Sequence, residues 1–142
     1  MQPRFQHILI PVDFTEKNLA AMEIALDLAI ASHTRVTLLH IIESINVEAD
    51  DEMEQFYSRL RARADAELER LSQRFSGSGI AVDRKFRIGK RLQEIVGDAA
   101  ERQVDLIVMS SHRPDLQNPT KTWATLSYQV SMLCHCPVLL VK

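Results

Sequence analysis

"HILIPVDFTEKNLAAMEIALDLAIASHTRVTLLHII", residues 7–42, decides the fold. Its two ends, 7–12 and 35–42, are short apolar runs rich in β-branched residues, the pattern of strands buried on both faces of a parallel sheet. Between them Leu19, Met22, Ala25, Leu26 and Ala29 recur at helical spacing, with Thr15 as a start signal. A strand, a helix and a second strand in this order make one βαβ unit.

The same alternation continues outward. Met53, Phe56, Leu60, Ala64, Leu68, Leu71 and Phe75 step by three or four and predict a long helix after the acidic stretch 48–54. Ser76-Gly77-Ser78-Gly79 ends it. Over 80–88, Ile80, Val82, Phe86 and Ile88 alternate with Asp83, Lys85 and Arg87, as in a half-exposed edge strand. Leu92, Ile95, Val96 and Ala99 predict a third helix, 105–109 a fourth strand, Leu126, Val130 and Leu133 a fourth helix, and 137–142 a fifth strand. The whole predicts an α/β fold, a single doubly wound five-stranded parallel sheet with helices on both faces, because right-handed crossovers cover both sides. In such sheets a ligand crevice opens at the carboxyl ends of the strands, where the winding reverses. That places Asp13, ending strand one, and Ser110-Ser111-His112-Arg113, ending strand four, beside it.

Composition narrows the function classes. With 142 residues and 46% apolar content, the chain suits one domain, 1–142, with a substantial core. A formal charge of -2 gives no bulk attraction to nucleic acid or an anionic membrane. The early apolar stretch at 8–12 is too short for a signal-peptide core, and the run 24–31 is broken by Asp27, so the expectation is a cytoplasmic protein. Cys134 and Cys136 are too close in sequence to staple a fold.

At this point four segments together resemble the universal stress protein family over nearly the full chain. "HILIPVDFTEKN" is similar to its opening strand ending in aspartate, and "VTLLHII" to its second strand. "GKRLQEIVGDAAERQVDLIVMSSH" is similar to its glycine, helix and Asp-Leu-Ile-Val-Met block, and "CPVLLVK" to its closing strand. The resemblance implies strand order 3-2-1-4-5 in an adenine-nucleotide-hydrolase-like sheet. It also implies a homodimer through strand five, Pro137, Val138, Leu139, Leu140 and Val141, and a crevice between strands one and four.

Many members hold ATP there with a motif G-x-x-G, nine residues, G-[ST]. Ser110, Arg113, Ala124 and Thr125 stand at those positions, so all three glycines are replaced, and the stretch between Arg113 and Ala124 is one residue longer. Glycine permits positive φ and lets backbone N–H groups approach a phosphate with no Cβ in the way. Pro114 and Pro119 remove further donors. In exchange Ser110, Ser111, Thr125 and Ser127 offer hydroxyls and Arg113 and Lys121 charge, with Thr125 at the start of the fourth helix. Pro11, Val12, Asp13 and Ile41 match the positions that line base and ribose in nucleotide-binding members, and Met109 and Leu126 complete the candidate set. Asp13 has two readings, an acceptor for ribose hydroxyls or an Asx turn ahead of the first helix.

Elsewhere structural readings are favoured. Cys134-His135-Cys136 has the residue types of a zinc site, but alternating residues entering a strand should face opposite ways, so packing is expected and no metal. Arg84, Lys85, Arg87, Lys90 and Arg91 read as a charged edge strand, not a nucleic-acid patch. His112 reads as a loop residue and His40 as a satisfied core or rim residue. Two functions stand: a non-catalytic, dimeric stress-response regulator acting through protein contacts with a vestigial or altered crevice and no certain cofactor, or a switch binding ATP or AMP through Asp13 and the Ser/Arg loop. The missing glycines favour the first. No paired acid-base or metal constellation supports an enzyme. A two-component receiver is excluded because strand three ends in Ile88-Gly89, not in a phosphoacceptor aspartate.

Overall fold

A computed structural model describes residues 4–44 and 50–142. Five strands, β1 (His7–Pro11), β2 (Arg35–Glu43), β3 (Val82–Gly89), β4 (Leu106–Ser110) and β5 (Val138–Val141), form one sheet in the order β3-β2-β1-β4-β5. Every neighbouring pair is parallel. The strands alternate with α1 (Asn18–Ser32), α2 (Asp51–Ser72), α3 (Arg91–Glu101), α4 (Pro119–Trp123) and α5 (Leu126–Leu133).

The two faces of the sheet build separate cores, as the period-two geometry of a strand requires. Ile8, Ile10, Val36 and Leu38 meet Met22, Ala25 and Ala29 of α1 and Leu68 and Leu71 of α2 on one face. Leu9, Leu39, Ile41 and Ile107 meet Ile95 and Ala99 of α3 and Val130 of α5 on the other. The central strands β1 and β4 are buried almost end to end, which is why their sequence is continuously apolar.

β3 is the charged, half-exposed edge that the alternation predicts. Arg84 pairs with Glu69 at 3.9 Å, and Arg35 of β2 pairs with Asp83. Arg87 reaches down to α3, where it meets Glu94 at 3.5 Å, Asp98 at 2.8 Å and Glu101 at 2.5 Å. Asp98 is fully buried, and its Oδ1 also accepts from Arg102 Nε at 3.0 Å, so Arg87 braces α3 against the sheet while Arg102 closes the last turn of α3.

Three boundaries differ from expectation. Thr15 does not start the first helix; α1 begins at Asn18, behind Lys17, which makes no side-chain cap. The acidic stretch lies partly outside the described residues, and from Asp50 onward it is the start of α2, with Asp50 Oδ1 accepting from Met53 N at 2.8 Å. Among the described residues five α-helices form instead of four, because Pro119 opens the short helix α4, where its missing N–H costs nothing. After α2 the chain turns through a 3-10 segment, Gln73–Phe75, and Gly77 and Gly79, both with positive φ, as the Ser-Gly repeat predicts.

Candidate functional site

The crevice comes from a split in the sheet. β1 pairs with β2 as far as Pro11, but it pairs with β4 only at Ile8 and Leu9. Beyond Leu9 the two central strands part, while β4 stays with β5 through Ser110. The cavity between them has a volume of about 400 Å³. That lies within the range of small-molecule sites and at the position expected for a doubly wound sheet.

Its inner wall is apolar: Val12, Leu39, Ile41 and Met109 from the strands, with Ile95 of α3 and Leu126 of α5. Pro11, Asp13, Ser110, Thr125 and Ser127 complete the predicted residues that line it. Arg113 and Ala124, matched to two of the lost glycines, do not line it. Arg113 is exposed in the segment after β4, which folds on itself around Asp115: its Oδ1 accepts from Gln117 N at 3.0 Å and its carbonyl from Asn118 N at 3.1 Å.

The residue that ties the mouth together is Asn18, which sequence reasoning missed. It is almost fully buried; its Oδ1 accepts from Asp13 N at 2.9 Å, and its Nδ2 donates to Ser110 Oγ at 3.1 Å. One side chain thus bridges the ends of the two parted strands. The signal was an asparagine close behind the strand-ending Asp13, passed over because Thr15 was taken as the helix start. On the far side Ser111 and the buried Ser127 join through their hydroxyls at 2.8 Å, and Thr125 caps α5 by accepting from Tyr128 N.

Asp13 forms the Asx turn: its Oδ1 accepts from Thr15 N at 3.0 Å and from Thr15 Oγ1 at 2.7 Å. Burial pushes its carboxyl up, but the two Thr15 bonds, its own amide and the charge of Arg91 outweigh this and hold it below the usual range. His40 donates from Nδ1 to Val12 O at 2.8 Å and stacks on Phe14 with centroids 4.0 Å apart. Burial lowers its pKa despite that bond, so the ring presents a neutral imidazole to the crevice.

Cations gather at the mouth, and they are not those the sequence singled out. Lys17 lines it and donates from Nζ to His112 Nδ1 at 3.1 Å. Arg91, read from the sequence as part of the edge-strand cluster, also lines it; its only ion pair among the described residues is with Glu43, at 3.7 Å and half exposed. A pair of that kind contributes little and leaves the guanidinium available.

The Cys134-His135-Cys136 prediction needs one correction. Both cysteines pack partly against the second core, but they do not face opposite ways: their sulfurs lie 3.6 Å apart. Alternation fails because the triplet precedes β5, in the turn after α5. Burial, with Cys134 alongside, pushes the Cys136 thiol up to about 12.

The sequence profile described as the universal stress protein family matches residues 4–142. Universal stress protein YxiE of Bacillus subtilis is 25% identical over 97% of this chain and 99% of its own. The solved structure of hypothetical protein MJ0577 is 26% identical, with a TM-score of 0.82 over 97% of this chain and 96% of that one. A universal stress protein in complex with cAMP is 17% identical, with a TM-score of 0.77 over 97% of each chain. One from Arabidopsis thaliana with AMP bound is 16% identical, with a TM-score of 0.68 over 96% of this chain and 91% of that one. No helix among the described residues is long and apolar enough to cross a membrane.

Proposed function

This chain belongs to the universal stress protein family, and on that premise we propose that it is a non-catalytic regulatory protein whose crevice binds an adenine nucleotide carrying one phosphate. The carrying observation is the crevice itself, apolar within and lined at its mouth by Lys17 and Arg91. An adenine ring suits the wall of Val12, Ile41 and Met109, and a single phosphate suits these two cations with the hydroxyls of Ser110 and Thr125. A triphosphate asks for more. The replaced glycines and the self-folded segment around Asp115 offer no run of backbone donors for β- and γ-phosphates. AMP and cAMP, the ligands of two structural relatives, each carry one phosphate.

Isothermal titration with AMP, cAMP, ADP and ATP tests this. AMP or cAMP is expected to bind, ATP to bind no tighter than AMP, and Arg91→Ala to weaken AMP by about tenfold, the worth of one charged hydrogen bond. Silence with every nucleotide at about 1 mM would sink the proposal. The second reading, regulation through protein contacts alone, would then stand; it is favoured by Asp13, whose Oδ1 is already committed to Thr15.

The proposal includes a homodimer through β5. Pro137 O and Val141 O bond inward to β4, so in this ladder the N–H and C=O groups of Val138 and Leu140 point to the open edge. Leu139, Met132 and Leu133 expose apolar surface nearby, at 40%, 68% and 62%. Val138→Pro removes an edge donor without touching the β4 ladder and should give monomers by light scattering. A Val138→Pro protein that stays dimeric would count against this edge.

A further inference from the structure

Cys134 and Cys136 are held at both ends. Cys134 closes α5 with its N–H on Val130 O at 2.9 Å, and Pro137, next to Cys136, enters the β4 ladder by accepting from Ile107 N at 3.0 Å. The two sulfurs are 3.6 Å apart, and the ligand atoms of Cys134, His135 and Cys136 all lie within 4.8 Å of one another. Two thiolates, each about 2.3 Å from one tetrahedral zinc, stand about 3.8 Å apart, and a thiolate and an imidazole nitrogen about 3.6 Å. The two sulfurs already have the spacing that a shared cation would impose, and the imidazole lies within a small side-chain adjustment of it.

We propose that Cys134, His135 and Cys136 form a metal site for a thiophilic d10 cation, with Zn²⁺ as its representative, using three protein ligands and leaving a fourth position to solvent. Two thiolates and an imidazole select such a cation over Mg²⁺ or Ca²⁺, which take oxygen ligands. On binding, each thiol releases its proton to solvent and its sulfur lone pair forms the metal bond. Zn²⁺ with two thiolates and a neutral imidazole carries no net charge, so the half-buried sulfurs acquire none. Asp105 is nearby but does not complete the site, because its two oxygens accept from Gln6 N at 2.8 Å and His7 N at 3.0 Å. The exposed His135 and the shallow cavity beside Cys136 give the ion its route in. The site lies at the amino ends of the strands, opposite the crevice, and does not depend on nucleotide binding.

Equilibrium dialysis of the full chain against Zn²⁺ under a phosphine reductant, with metal analysis, reads the stoichiometry, and Cd²⁺ reads thiolate ligation through its ultraviolet charge-transfer band. The expected result is about one equivalent per chain, as a single three-ligand site requires. Cys134→Ser and Cys136→Ser should each abolish the Cd²⁺ band. His135→Ala should weaken Zn²⁺ by more than about tenfold, the low end of what losing even an outer-shell partner costs. His135 is exposed, so this variant keeps its fold and tests the site even where a serine variant does not. Absence of a Cd²⁺ band in the native chain, zinc retained by either serine variant, or unchanged affinity in His135→Ala would overturn the assignment.

Discussion

The wall and the mouth of the crevice are built on different principles. The wall is made of strand ends that are fixed by the ladder and by two cores: Leu39 is fully buried, and Val12, Ile41 and Met109 are nearly so. The mouth is made of polar side chains such as Lys17, Arg91 and Ser110, and the chain after it runs outside the lining in a segment held by its own Asx turn, in which Leu116 is 91% exposed. A ligand therefore meets a preformed apolar slot and then adaptable charges. For the nucleotide proposed above, shape selection of the base would belong to the first, and tolerance toward the phosphate group to the second.

The largest effect should come from cutting the wall. Leu39→Ala removes a fully buried side chain shared by the second core and the crevice floor, and should cost about 3 kcal/mol in urea unfolding. Leu116→Ala in the exposed segment after β4 should stay within about 0.5 kcal/mol. Equal losses at the two positions would mean that the segment after β4 is as much a part of the cooperative fold as the strands.

The same contrast explains what the sequence disclosed. The strands themselves follow from runs such as 7–12 and 105–109, because burial on both faces forces continuous apolar residues, and such runs are visible without partners; their order followed only from the family resemblance. The crevice-wall positions were legible for the same reason, being at the ends of those runs. Asn18, Lys17 and Arg91 were not. Each is an ordinary polar residue at a helix start whose meaning depends on the splitting of β1 from β4, a tertiary event with no local signature. Arg113 failed in the opposite sense: it sits beside the strand in sequence, yet Asp115 gathers the following residues into their own turn. The relative facing of Cys134 and Cys136 was misread because strand alternation was applied to residues that precede the strand.

A smaller effect, again seated in the buried strands, is the acid limb of stability. His40 is held below the ordinary histidine value of 6.5 by burial and by Arg91, against Val12 O and Asp13, and His7 by burial and by Arg35. Both groups are neutral in the folded and unfolded chain well above 6.5, where their contribution is fully present. As pH falls below 6.5 the unfolded chain takes up protons that the native chain refuses, so stability declines until the native values are reached. The melting temperature should drop by about a few degrees between pH 7 and pH 5.5. The His7→Gln/His40→Gln double variant should show a flatter profile over that window; an unchanged slope would place the titration elsewhere.

The smallest expected effect is the most discriminating for the mouth. Sequence position sets Arg113 where a phosphate glycine would be, whereas the structure leaves it exposed and outside the lining, with Lys17 and Arg91 at the opening instead. If the mouth works through those two, Arg113→Ala should change AMP affinity by less than about twofold, or roughly 0.4 kcal/mol, under conditions where Arg91→Ala costs about tenfold. A tenfold loss with Arg113→Ala would show that residues 112–118 close over the bound phosphate. The mouth would then be an induced structure, with only the wall preformed.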